Sequence, residues 1–150
     1  MTAPMEIVPA PDGEQVERLV QGRHHDPHSL LGVHPGAVVD GRQQAVVRVW
    51  VPDATSVDLL VGEERLPMER LHHAGLFAAA VPGPRPDHYR FAVTCPDGAT
   101  AVVEDPYGFV PTLGELDLHL FAEGRHEELW RHLGAQVRIH QGVAGTAFAV

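Results

Sequence analysis

The chain has 150 residues, a formal charge of −9 at pH 7, one cysteine and eleven histidines. That length suits one domain with a connector, and the acidic balance argues against the basic footprint of a nucleic-acid binder. No apolar run reaches the ~20 residues that span a bilayer. Met1 to Ala10 shows no basic stretch leading into an apolar one, so a secretory signal is not expected. The single thiol, Cys95, suits a reducing compartment and reads as structural, and a cytoplasmic location is the default expectation.

Asp12-Gly13-Glu14-Gln15 reads as a helix start, with Val16, Leu19 and Val20 on one face and Gly22 as the stop. In His24 to Pro35, Pro27 and Gly32 bracket a turn or two of helix at most. Asp40-Gly41 is a turn signal before the first clear strand, Ala45 to Val51, which stops at Pro52. Ser56 to Val61 predicts a second strand, Arg65 to Arg70 a weaker one and Gly75 to Val81 another. His88 to Thr94 and Thr100 to Val103, joined by Pro96-Asp97-Gly98, predict a hairpin. Short strands spaced by turns, with no long helices between them, point to an antiparallel sandwich.

Beyond Asp105-Pro106 the pattern changes. Leu116 to Ala122 and Glu127 to Leu133 read as short helices, and Val137 to His140 resumes a strand. Thr146 to Val150 reads as a strand in full stride where the chain stops, which predicts a truncated second module, since an unpaired apolar edge invites aggregation.

Candidate chemistry is sparse. His24, His25, Asp26, His28 and His34 could supply metal ligands, but Pro27 interrupts the helix that would present His24 and His28 together, and a packed loop is the expectation. Glu69/His72 and Glu123/His126 have Glu-x-x-His spacing, each standing alone. The carboxylate pairs Glu63-Glu64, Glu104-Asp105 and Glu127-Glu128 lack any sign of the ~5 Å separation that retaining glycoside chemistry uses. Ser29 and Ser56 are the only serines, neither on a nucleophile turn, and no phosphate-cradling glycine loop occurs. No catalytic, metal or cofactor site is expected. Sugar stacking needs an exposed ring face. Trp50 is the candidate platform, because it shares a strand face with Arg48 while Val47, Val49 and Val51 face the other way.

His25-Asp26-Pro27-His28-Ser29-Leu30-Leu31-Gly32-Val33-His34 resembles the opening of bacterial 1,4-α-glucan (glycogen) branching enzymes. The likeness continues through Glu104-Asp105-Pro106-Tyr107-Gly108-Phe109-Val110-Pro111-Thr112-Leu113-Gly114-Glu115-Leu116-Asp117-Leu118-His119-Leu120, and on to Leu133-Gly134-Ala135. The resemblance implies an immunoglobulin-like β-sandwich, then a second sandwich resembling carbohydrate-binding module family 48, with catalysis in an α-1,4-cleaving, α-1,6-forming barrel that this chain lacks. The expected organisation is a helix and lead-in over 1–39, the first sandwich over 40–110, a helical connector over 111–140 and the start of the second sandwich over 141–150. Val49-Trp50-Val51-Pro52-Asp53-Ala54 looks like the first sandwich's version of the strand and turn that opens the second.

The role this implies is a non-catalytic module that positions α-glucan or supports the downstream domains, with a stand-alone glucan-binding module as the alternative. Asp105, Pro106, Tyr107, Phe109, Pro111 and Leu113 are the expected interdomain contact residues, two prolines stiffening the segment and two rings anchoring it. Gly108 and Gln136 depart from the pattern, where many relatives carry arginine and histidine. Losing the arginine removes a fork of donors at that contact.

Overall fold

In the computed structural model, which describes residues 10–150, Asp12 caps the first helix by accepting from the Glu14 amide at 3.1 Å. The reading of the segment before Ala10 lies outside the described residues. Helix α1 (Gly13–Val20) buries Val16 and Leu19 and ends where Gly22 takes a φ of 68°, as a left-handed cap requires.

Two antiparallel sheets follow. Their strands are β1 (Gly32–Val39), β2 (Arg42–Trp50), β3 (Ser56–Val61), β4 (Glu64–Pro67), β5 (Glu69–His72), β6 (Leu76–Pro82), β7 (Arg90–Thr94) and β8 (Thr100–Glu104). One sheet has the order β1-β2-β6-β5 and the other β4-β3-β7-β8. The expected antiparallel sandwich is what forms. Val47 and Val49 of β2 and Phe77, Ala79 and Val81 of β6 share one core with Val57 and Leu59 of β3 and Phe91 and Val93 of β7. Each fully buried side chain in it is worth roughly 1.5–3 kcal/mol against exposure.

Two elements differ from expectation. Residues 32–39 form a strand, ahead of the first one expected at Ala45 to Val51. β1 is an edge strand with a register shift between Pro35 and Val38, the setting in which a sheet tolerates proline. Gly36 lets β1 close on β2: a Cβ there would stand 2.9 Å from a Val46 methyl. Asp40 and Gly41, with φ of 50° and 75°, supply the tight turn between these strands. The second difference is the weak strand expected at Arg65 to Arg70, which is two strands. β4 pairs with β3 in one sheet and β5 with β6 in the other. Buried Met68 is the step between them, its amide bonded to Val57 O at 3.0 Å.

β2 and β6 are buried on both faces, Gln44 and Arg48 of β2 included, because the outer side of their sheet is also covered. There Leu76 packs with Val16, Leu19, Leu30 and Leu31, and Trp50, Leu71 and Tyr107 lie half-buried around this second cluster. The chain divides into two compact units, the first ending at Gly108 and the second running from Phe109 to Val150.

The second unit holds α2 (Glu115–Ala122), a 3-10 turn (Leu129–Arg131) and the hairpin β9 (Gly134–His140) with β10 (Val143–Ala149). The helix expected from Glu127 to Leu133 shortens to that turn, since a seven-residue segment nucleates a helix poorly. The boundary expected at 140/141 falls inside the hairpin's tight turn, where Gln141 and Gly142 take φ of 49° and 82°. β10, expected as an unpaired strand, pairs with β9 along its whole length. Val137, Ile139 and Phe148 stand 89%, 73% and 77% exposed on one face of the hairpin.

Candidate functional site

Three groupings of side chains carry chemistry. The first is the corner after β8. Asp105 is buried; its Oδ2 accepts from the Tyr89 hydroxyl at 2.5 Å and its Oδ1 from the Tyr107 amide at 2.9 Å. Gly108 N closes the turn onto Asp105 O at 3.0 Å. Burial pushes the Asp105 carboxyl above its ordinary value, against the opposing pull of those two donors. Burial, with Asp105 alongside, also drives the Tyr89 phenol far up, so it stays a donor. Tyr107 folds back over the lead-in: its carbonyl sits 2.9 Å from where a Cβ on Gly32 would stand, and its ring meets His28 edge-on at 4.9 Å. The two motifs behind the family resemblance, more than seventy residues apart, thus touch within the first unit.

Of the expected interdomain residues, Asp105 and Tyr107 make their contacts inside the first unit, and Pro106 is exposed. Phe109, Pro111 and Leu113 belong to the second unit, where Phe109 lies 5.9 Å from the His140 ring and Pro111 is exposed. There Gln141 Oε1 accepts from Val110 N at 2.6 Å and His140 Nε2 lies 2.8 Å from Val110 O. At Gly108, Arg85 reaches in from another loop and donates to the carbonyl at 2.8 Å.

The second grouping surrounds Trp50. Its indole N–H donates to Ala74 O at 2.9 Å, fixing the ring half-buried at the edge of an open depression of about 570 Å³. Asp53, Thr55, Arg70, His73 and Pro96 line the rest. The Arg70 guanidinium is largely committed, bonded to Ala54 O and Thr55 O and stacked 4.5 Å over Phe77.

The third grouping was not anticipated. Asp117, His126 and His132 place their ligand atoms within 4.8 Å of one another. The hydrogen bond with His126, and then the Gly114 amide, hold the Asp117 carboxyl below the usual range. Sequence spacing suggested Glu123 for His126, but Glu123 faces His119 and Arg125 at 3.4 and 3.5 Å. Asp117 lies nine residues back, and only the chain reversal at Gly124 (φ 67°) brings it round. The histidines near the N-terminus do not converge in this way. His24 Nδ1 accepts from the Asp26 amide at 3.1 Å, and His34 Nε2 lies 3.0 Å from Leu31 O.

An antiparallel sandwich of the immunoglobulin-like kind, with its buried carboxylate locked into a turn, defines a β-sandwich module. The family model described as "alpha-1,4-glucan branching enzyme GlgB, N-terminal domain" matches residues 12–107, and the chain belongs to that family. The 1,4-alpha-glucan branching enzyme GlgB of Frankia casuarinae is 53% identical over 91% of this chain and 17% of its own length. GlgB 1 of Streptomyces coelicolor is 49% identical over 99% of this chain and 18% of its own. The GlgB of Rhodococcus jostii is 45% identical over 100% and 20%. The chain therefore spans about a fifth of the length of these relatives. Among solved structures, a pullulanase from Bacillus acidopullulyticus aligns at a TM-score of 0.37 and 24% identity over 48% of this chain and 9% of that one, too slight to argue from.

Proposed function

We propose that this chain is the non-catalytic leading module of an α-1,4-glucan branching enzyme, an enzyme that cleaves α-1,4 linkages and forms α-1,6 branches in glycogen. The observation that carries the reading is the match to the N-terminal domain family over residues 12–107, in relatives of which the chain covers about a fifth. Its role is to support the arrangement of downstream domains and to help position glucan. The cytoplasm is its proposed location; among the described residues no helix is long and apolar enough to cross a membrane.

Two features support the domain-supporting role. The Asp105 turn is hydrogen-bonded on both carboxylate oxygens where the chain leaves the sandwich, and Phe109, Pro111 and Leu113 follow it directly. The apolar face of the hairpin, with Val137, Ile139 and Phe148, suits cover by further strands of the same polypeptide, as a second sandwich would provide. The depression beside Trp50 favours a second reading, that the module binds glucan by itself, with the exposed part of the indole stacking on a pyranose face.

A chimera tests the first reading. The Frankia casuarinae relative is prepared intact, with its leading segment deleted, and with this chain in its place. Restored thermal stability and branch chain-length distribution in the chimera, after loss of either on deletion, is the expected result. Deletion with no effect on either would remove any role for the module. Titration of the chain with maltoheptaose, alongside Trp50→Ala, separates the second reading: saturable binding abolished by the substitution supports it.

A further inference from the structure

We propose that Asp117, His126 and His132 form a binding site for one divalent transition-metal ion, with zinc as the best-fitting occupant. Two imidazoles and one carboxylate are a ligand set zinc favours, at bond lengths of roughly 2.0–2.2 Å. Tetrahedral bonds of that length hold ligand atoms about 3.3 Å apart. His126 Nε2 and His132 Nε2 lie 2.9 and 3.4 Å from the same Asp117 oxygen, Oδ1, on either side of that spacing.

The local fold prepares each ligand. Asp117 sits in the first turn of α2, where Oδ2 accepts from the Gly114 amide at 3.0 Å. That bond fixes the carboxylate and leaves Oδ1 for the histidines. His126 follows the reversal at Gly124, and His132 closes the 3-10 turn at Leu129–Arg131, so three separate pieces of the unit meet at one point. The two rings stand at 68° with centroids 5.4 Å apart, each aiming Nε2 at Asp117 without stacking. Exposure is graded, with side chains 7% exposed at His126, 20% at Asp117 and 32% at His132. The site is walled on one side and open on the other, which leaves room for water as a fourth ligand.

Two imidazoles converge on one carboxylate oxygen, whose two lone pairs can serve both at once. A cation among the three atoms satisfies all of them, at the cost of releasing any proton carried on Nε2. The ion would also staple a unit that, among the described residues, contributes none to the two buried core clusters. Binding would stabilise it by mass action. The site lies wholly within the second unit and is independent of the proposed glucan role.

The experiment uses the chain stripped with EDTA and titrated with zinc chloride, read by calorimetry and by elemental analysis after desalting. The expected result is one ion per chain. His132→Asn, which alters the most exposed of the three ligands, should weaken zinc binding about 100-fold or more while leaving the circular dichroism spectrum unchanged. A His24→Asn/His25→Asn double variant should bind as the unaltered chain does. Cobalt in place of zinc should show the intense visible bands of a tetrahedral centre, lost in His132→Asn. Failure of zinc to bind saturably at micromolar concentration would overturn the proposal. So would a stoichiometric ion that His132→Asn leaves in place, or one removed by the His24/His25 substitutions.

Discussion

The Tyr89 hydroxyl and the Asp105 carboxylate meet at the open end of the β7–β8 pair, one residue beyond the last register pair, Arg90 with Glu104. Both are buried, and the other Asp105 oxygen holds the turn that follows. One carboxylate thus fastens the exit of the chain to the strand pair before it. Tyr89→Phe keeps the ring in the core against Phe91 and removes only the donor. It should cost about 1–3 kcal/mol, the penalty for leaving a buried acceptor short of a partner. Urea unfolding measures this, and a loss within error of zero would show that water replaces the phenol.

The same carboxyl makes stability depend on pH in an unusual direction. Its folded-state pKa lies above the ordinary value of 3.8 because burial disfavours the charge. Its contribution is therefore fully present below that ordinary value and is lost as pH rises through the raised folded value. Asp105→Asn removes the titration. The difference in Tm between variant and unaltered chain should move in the variant's favour as pH rises through that window towards neutrality. Thermal scans across the acid range check the slope, and a flat difference would mean that the carboxyl titrates as it does in the unfolded chain.

The sandwich was legible because its strands carry strong local signals. β3 alternates, β6 is a bounded apolar run, and the β7–β8 hairpin has its turn spelled out in Pro96-Asp97-Gly98. β1 was hidden because Pro35 and Gly36 argue against a strand, and only an edge position with a bulge tolerates them. The change of sheet at Met68 was equally hidden, since local sequence does not say which neighbour a strand will choose. The Asp105 motif stood out by its residues, yet its bond to Tyr89 depends on hairpin register. Asp117, His126 and His132 were passed over because their convergence depends on a reversal at Gly124 and a turn that read as helix.

Gly75 and Gly98 separate two costs that a left-handed glycine can hide. Both have positive φ, 94° and 83°. At Gly98 a Cβ would meet open space, whereas at Gly75 it would lie 2.2 Å from the Val51 carbonyl oxygen. Gly98→Ala should cost about 1–2 kcal/mol, the conformational penalty alone. Gly75→Ala should cost about 3 kcal/mol or more, because the clash also disturbs the 2.8 Å bond from Val51 N to Gly75 O. Paired denaturation curves decide it, and equal losses would mean that the strand ends move apart freely.

The two tryptophans report on different units and make the glucan question optically tractable. Trp50 is half-buried with its N–H bonded to Ala74 O, while Trp130 is 69% exposed with the Arg131 guanidinium 5.1 Å from its ring. Trp130→Phe should leave blue-shifted emission that acrylamide quenches poorly, and Trp50→Phe should leave red-shifted emission that it quenches readily. Maltoheptaose stacked beside Trp50 would then alter the emission of the Trp130→Phe variant and leave that of Trp50→Phe unchanged. This contrast is sharper than loss of binding in Trp50→Ala, since truncating a ring that also packs against the second core cluster weakens the fold as well. A spectral response confined to Trp50→Phe would instead locate the sugar in the second unit, and the depression beside Trp50 would then be a packing feature of the sandwich.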